Sequence, residues 1–313
     1  VESGILTQGL VIALYNYMTQ ILVELIKAAN LIVSLTKAVA CGKRIGAVLE
    51  LEPAQENGSK KDRITGQVEF RNVTARYDGA GEPSLENISF TALPGQTIGI
   101  IGGTGSGKST LVNLIPRLYD AVDGAVLLDG VPVAEYDMEA LRNQIGIVPQ
   151  KAVLFKGTIR KNLQWGREDA SDSDLWRALE IAQAREVVRD KEGELDAAVE
   201  QGGLNFSGGQ RQRLTIARAL VRTPKILILD DSASALDYAT DAALRMAIQN
   251  LEDPPTTFIV SQRAASVRYA DQILVLEDGI LVGKGTHAAL LDGCKTYQEI
   301  YYSQFPREVN CHG

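Results

Sequence analysis

The sequence predicts an α/β fold built around a phosphate-binding loop and preceded by a long α-helix. Three observations carry this reading. Gly102-Gly103-Thr104-Gly105-Ser106-Gly107-Lys108-Ser109 fits G-x-x-x-x-G-K-S, with a buried strand expected over Gln96–Ile101 before it and a helix starting at Thr110 after it. A second glycine corner, Ser207-Gly208-Gly209-Gln210, opens another helix far downstream. Residues 9 to 40 carry a long apolar pattern.

The first element reads as one helix, because no Gly or Pro falls between Leu10 and Cys41. About 20 apolar residues span a bilayer, and Glu24 and Lys27 interrupt this run. Two readings fit: a span in the first half with a cytosolic extension after it, or a soluble amphipathic helix. The chain begins at Val1 with no charged leader region and no small-residue cleavage site, so it is expected to be the C-terminal part of something longer. Pro53 to Asp62 then form a polar, turn-rich stretch, the expected linker between two units.

Beyond the linker, Gln67–Phe70, Val73–Tyr77 and Ile88–Phe90 alternate like half-exposed strands. In the phosphate loop, glycines let backbone N–H groups converge on phosphate, Lys108 neutralises charge and the Ser109 hydroxyl suits Mg²⁺. Ile145–Val148 reads as an apolar strand leading to Gln150, which is placed to reach a metal or an attacking water. Residues 172 to 190 read as a helix opened by Asp172 or Ser173. At Ser207–Gln210, free N–H groups, a hydroxyl and the helix dipole make a second anion site. Lys225–Asp230 reads as a buried strand ending in a carboxylate, the arrangement that holds Mg²⁺ opposite a phosphate loop.

Composition sets outer limits. With 313 residues, 45% hydrophobic content and ten prolines, the chain can bury a large core in more than one unit. A net charge of −7 offers no basic surface, so the phosphate loop is expected to serve a nucleotide and not a nucleic acid. Cys41, Cys294 and Cys311 are odd in number and far apart, which fits neither a disulfide framework nor a zinc site. Tyr297, Tyr301, Tyr302 and Phe305 stand at helical spacing and read as packing for a terminal helix.

These motifs together resemble the ATPase domain of ABC transporters, and more narrowly the C-terminal part of ABC exporter half-transporters, over essentially the whole chain. The resemblance implies a last transmembrane helix and its cytosolic extension over 1–52, a linker over 53–64, a nucleotide-binding domain over 65–303 and a tail over 304–313. The domain would combine a RecA-like core with an antiparallel β-subdomain and a helical subdomain near 151–222. It would bind ATP and Mg²⁺ on the cytoplasmic side of the cell membrane, working on small-molecule, lipid or peptide cargo. Within that pattern Tyr77 matches the aromatic that stacks on adenine, and residues 102–110, through Thr110, match the nucleotide loop. Gln150 matches the Q-loop and, with Ser109 and Asp230, the Mg²⁺ site. Ser207, Gly208, Gly209 and Gln210 match the signature; Asp230 matches the Walker B aspartate; Ser234, Ala235, Leu236 and Asp237 match the D-loop; Glu200 matches the acidic X-loop residue. In such proteins two domains close head to tail, so that each ATP lies between one chain's phosphate loop and the other's signature.

The departures from the pattern matter as much as the matches. Asp231 stands where competent sites carry Glu, one methylene closer to the backbone, and a misplacement of about 1 Å can cost on the order of a hundredfold in rate. Gln262 stands where they carry the switch histidine, and an amide neither takes nor gives a proton near neutral pH. Phe206 replaces the usual Leu before the signature, whose core is intact. With Lys108, Gln150, Asp231 and Gln262 as its catalytic set, this chain's own pocket is expected to be degenerate and its partner to be a second, different half-transporter. A homodimeric exporter with two active sites is the nearer alternative, since aspartate can still act as a base. Soluble ABC-type clamps and importer ATPases share the motifs, but neither is expected to place a membrane-grade helix before the domain.

Overall fold

A computed structural model of the chain describes residues 7–51 and 55–305, with the backbone alone at Ala233 and Ser234. The chain divides into two compact units with the break between Glu56 and Asn57. Pro53, Ala54 and Cys311 lie outside the described residues.

The first unit is helix α1, Gln8–Leu49. Its 42 residues rise about 63 Å at 1.5 Å each. Thr7 caps the start by accepting a hydrogen bond from the Leu10 N–H. The helix runs on through Gly42 and Gly46, past the Gly- and Pro-free stretch that ends at Cys41. Each glycine costs about 1 kcal/mol of helix propensity, too little to end a helix where no residue turns left-handed; the cap residue Glu50 itself stays right-handed. No side chain of α1 is buried, and the helix is long and apolar enough to cross a membrane. Glu24 and Lys27, the charges that interrupt the apolar run, pair with each other at 2.8 Å.

The second unit opens with the antiparallel strands β1, Val68–Ala75, and β2, Leu85–Ala92. The two half-strands expected before and after residue 71 are one strand, bent where its register shifts beyond Phe70 and Asn72 takes φ 49°. There follow β3, Thr97–Gly102; helix α2, Lys108–Leu114; β4, Asp123–Leu128; β5, Val131–Pro132; α3, Met138–Asn143; and β6, Ile145–Val148. Strands β2-β1-β4-β5 make one antiparallel sheet.

Next come β7, Gly157–Thr158; α4, Ile159–Gln164; α5, Asp172–Ile181; α6, Arg185–Arg189; β8, Ala198–Val199; and α7, Gly208–Val221. The single helix expected over 172–190 is therefore two. Ser171, not Asp172 or Ser173, caps α5 in a reciprocal box with Asp174. The break follows Ala182: Gln183 turns left-handed at φ 56°, its N–H reaches the Glu180 carbonyl at 3.1 Å, and the Ala184 N–H reaches the Leu179 carbonyl at 2.7 Å. This is a Schellman ending with Gln where Gly is usual.

The chain closes with β9, Ile226–Asp230; α8, Tyr238–Gln249; β10, Thr256–Ser261; α9, Ala264–Val267; β11, Gln272–Glu277; β12, Ile280–Gly285; α10, His287–Gly293; and α11, Lys295–Gln304. The central sheet has the order β12-β11-β3-β10-β9-β6, parallel except at the β12 edge. Alternate residues of its strands enter two separate cores. Ile101, Leu227, Leu229, Ile259, Ile273 and Val275 pack on the side of α5 and α7. Ile100, Ile226, Ile228, Phe258, Val260 and Leu274 pack toward the antiparallel sheet. A sheet covered on both faces explains why these strands read as unbroken apolar runs.

The stretch between the units is fastened to the second from Asn57 onward. The Asn57 amide donates to Asp137 at 2.9 Å and accepts from the Met138 N–H at 2.8 Å, the Ile64 N–H donates to Gln144 at 2.8 Å, and the Ile64 side chain is buried.

Candidate functional site

The parallel strands bring the predicted residues together because they all end on one edge of the sheet. Strand β3 runs into the phosphate loop, β9 into Asp230 and Asp231, and β10 into Gln262; β6 ends two residues before Gln150. Ligands of open α/β sheets sit beyond this carboxyl edge.

Three glycines give the loop its course. A Cβ on Gly102 would lie 2.1 Å from the Leu276 carbonyl oxygen, and Gly105 and Gly107 take φ of +83° and +91°, which L side chains rarely adopt. Gly107 leads directly into α2 and offers no side-chain cap to its first N–H groups. Ser106 is buried and donates to the Gly103 carbonyl at 2.9 Å. Lys108 is buried too, and its ammonium donates to the carbonyls of Gly102 and Gly103. Burial pushes its pKa down, against the pull of Asp230 and then Asp231. The Ser109 hydroxyl donates to Asp230 Oδ1 at 3.2 Å. Burial is also the main reason the Asp230 carboxyl titrates above the usual aspartate range, with the Ser109 bond opposing and the Asp231 charge adding to the rise.

Asp231 takes the left-handed conformation at φ 45°, which Asp tolerates better than most residues, and its N–H donates to the Val260 carbonyl at 2.9 Å. Its Oδ2 accepts from Gln150 Nε2 at 3.3 Å, so the glutamine expected to face a metal or water is hydrogen-bonded to this carboxylate. Tyr77 lies near the loop, its hydroxyl 2.9 Å from Thr110 Oγ1 and its ring edge-on to Tyr119 at 5.0 Å. Tyr77, Lys108, Ser109 and Thr110 line a cavity of about 540 Å³ together with Pro83, Ser84, Asp278 and Gly279. Those last four had no place in the sequence reading. The Asp-Gly pair between two apolar strands, a strong hairpin signal, is the one trace of them in the sequence.

The second corner lies at the start of α7. Ser207 Oγ accepts from the Gln210 N–H at 3.3 Å, while Gln210 Oε1 accepts from the Ser207 N–H at 2.9 Å, a complete capping box. Phe206 is buried with the Lys191 ammonium over its ring at 5.0 Å. A Cβ on Gly209 would lie 3.1 Å from the Ala235 carbonyl, so this corner touches the segment after Asp231. In that segment Leu236 is buried and Asp237 caps α8 by accepting from the Thr240 N–H at 2.9 Å; the Ser234 side chain lies outside the described residues. Glu200 is exposed and precedes a short 3₁₀ turn.

The family model described as ABC transporter matches residues 85–234, from β2 through the phosphate loop and the α7 corner to the carboxylates after β9. This is an ABC-type nucleotide-binding domain. An uncharacterized ABC transporter ATP-binding protein of Bacillus subtilis, YfiB, is 47% identical over 309 residues, covering 98% of this chain and 54% of that protein. The ATP-dependent lipid A-core flippase of Salmonella typhimurium is 36% identical over 302 residues, covering 96% of this chain and 52% of the flippase. Among solved structures, a bacterial Atm1-family ABC exporter with ATP bound is similar at a TM-score of 0.80 and 31% identity, over 97% of this chain and 54% of that one. The chain thus spans about half the length of the relatives it matches.

ABC ATPase domains bind ATP, normally with Mg²⁺, and the residues present fit both. A hydroxyl and a carboxylate within 3.2 Å of each other are hard oxygen donors of the kind Mg²⁺ takes, with the rest of its shell left to phosphates and water. Among the described residues no group of three or more His, Cys, Asp or Glu side chains forms an all-protein metal cage. Ser109 and Asp230 would hold the ion, which would supply charge neutralisation for the bound phosphates. The nucleotide-binding domain contributes the cradle, a desolvated ammonium and a carboxylate pair at the end of β9.

Proposed function

We propose that this chain is the C-terminal part of an ABC exporter subunit that pairs with a second, different half-transporter. In this reading α1 is the last membrane-crossing helix, and the nucleotide-binding domain lies on the cytoplasmic side of the cell membrane. Lys108, Ser109, Gln150 and Asp230 hold ATP·Mg at the chain's own pocket, with Tyr77 against the adenine. Hydrolysis there is slow. Ser207 to Gln210 complete the partner's faster pocket, and the D-loop, Ser234 to Asp237, lies at the junction. The cargo is a small molecule, a lipid or a peptide; a lipid is the class named for the flippase relative.

One observation carries the slow-pocket reading: the residue after Asp230 is a short carboxylate, hydrogen-bonded by Gln150, while an amide, Gln262, follows β10. A glutamate at 231 would project its carboxylate one methylene further, and a histidine at 262 would add a group that can exchange a proton.

The test is ATP turnover by the intact pair in membranes, with the partner's pocket disabled so that only this one reports. Asp231→Glu combined with Gln262→His is expected to raise turnover on the order of tenfold to a hundredfold. Full turnover by the unaltered chain, or full activity of this chain as a homodimer, would overturn the asymmetric reading.

A further inference from the structure

We propose that Gln304, the last residue of α11, is a positioning residue for the loop that carries Gln262. This rests on the reading of that loop as part of the chain's own nucleotide pocket.

The Gln304 side chain makes two opposite hydrogen bonds to the backbone of one short loop. Its Nε2 donates to the Gln262 carbonyl at 2.8 Å, and its Oε1 accepts from the Ala264 N–H at 2.9 Å. Ala264 opens α9, and the preceding residue, Arg263, provides no side-chain cap for that helix. Gln304 therefore supplies from forty residues downstream the cap that the local sequence lacks. Between them, the Arg263 N–H donates to the buried Ser261 Oγ at 3.0 Å. Successive backbone groups from 262 to 264 are thus fixed, while the Gln262 side chain stays exposed on the carboxyl edge of the sheet.

The clamp is only as firm as the helix that carries it, and α11 is well anchored. Tyr297 is fully buried, its hydroxyl 2.8 Å from His287 Nδ1. Gln298 Nε2 donates to the Leu291 carbonyl at 2.7 Å, and Thr296 to Glu277 at 3.0 Å. Just past Gln304, the Phe305 ring stacks on Tyr301 at 4.9 Å and faces the Arg268 guanidinium at 5.8 Å, a second contact to the end of α9. Hydrogen bonds therefore connect α11 to β11, to α10 and to the loop after β10. The carboxamide meets both demands at 304, whereas a carboxylate has no proton for the Gln262 carbonyl.

The test compares Gln304→Met, which keeps length and packing but loses both bonds, with Gln304→Glu, which keeps the acceptor alone. Both are made in the full-length transporter in lipid vesicles, with the partner's phosphate-loop lysine replaced so that only this chain's pocket binds nucleotide. The probe is a non-hydrolysable ATP analogue with Mg²⁺. Hydrogen exchange at the Ala264 amide is expected to speed up on the order of tenfold in Gln304→Met and to stay near wild type in Gln304→Glu. Analogue dissociation is expected to quicken by roughly threefold or more in both, with association unchanged. Wild-type exchange in Gln304→Met overturns the clamp. Faster exchange with unaltered dissociation overturns the positioning role. Neither arm measures hydrolysis, so fast turnover at this pocket would bring down the slow-pocket reading and leave the clamp standing.

Discussion

Gln150 Nε2 lies 3.3 Å from Asp231 Oδ2, joining the residue just beyond β6 to the one just beyond β9. These strands are neighbours in the sheet, with Val148 opposite Leu229, so the register brings the two residues within side-chain reach. It ties the carboxylate to the segment that leads into α4, α5 and α7.

Replacing the carboxylate with its amide separates charge from shape. Asp231→Asn keeps an oxygen that can accept from Gln150, but it removes the only group at that position able to take a proton. Residual turnover at this pocket, measured with the partner's pocket disabled, is expected to fall roughly a hundredfold. Analogue affinity is expected to hold or to tighten, since one negative charge near the triphosphate is gone. Unchanged turnover would show that Asp231 takes no proton.

Lys108 should cost binding without costing stability. Its ammonium is buried and desolvated, held by the Gly102 and Gly103 carbonyls. Lys108→Met removes that desolvation along with the charge, so the melting temperature of the nucleotide-free protein is expected to hold or rise. ATP-analogue affinity should drop about 10-fold to 100-fold, the scale of a lost charge-assisted hydrogen bond. A variant that unfolds would contradict this placement of the lysine.

The site was legible in the sequence to the degree that it is local. The phosphate loop declares itself through glycines whose positive φ and close backbone contacts are set within a few residues, and β9 through an apolar run ended by a carboxylate. The break after Ala182 was not legible, because Gln183 takes the left-handed position that the sequence usually marks with Gly. The continuity of β1 was hidden by Asn72, whose left-handed turn made one strand read as two. Gln304 leaves no trace at all: its partners are a carbonyl and an N–H, which every residue carries.

The Ser207 hydroxyl has a structural task beside its proposed one. It accepts from the Gln210 N–H, so Ser207→Ala is expected to cost about 1 kcal/mol as a lost N-cap. For a domain of this size that lowers the melting temperature by about 2–4 °C. If the corner also completes the partner's pocket, turnover there should fall far more than this loss of stability explains. Ser207→Asp, which restores a capping oxygen, separates the two effects. Melting should recover, while turnover stays low because a carboxylate repels the triphosphate.

Asp230 gives a pH dependence whose sign can be fixed in advance. Its folded-state pKa lies above the value near 3.9 that an unfolded chain gives, chiefly through burial. The unfolded state therefore releases its proton first as pH rises. The stability linked to this group is fully present below the unfolded value and is lost as pH climbs through the folded one. At pH 7.5 an ionised Asp230 weakens the nucleotide-free protein, and Asp230→Asn, which can still accept from Ser109, should melt higher. As pH is lowered through the folded-state value the wild-type carboxyl regains its proton and the gap between the two should close. Paired melting curves taken from pH 7.5 downward, without nucleotide or Mg²⁺, measure that gap, and titrations common to both proteins cancel in the difference. A gap that widens on acidification would mean that the Ser109 bond and Lys108 outweigh burial at Asp230. In either case Asp230→Asn should weaken the Mg²⁺-dependent part of nucleotide binding, because a neutral oxygen replaces the carboxylate that accepts from the Ser109 hydroxyl.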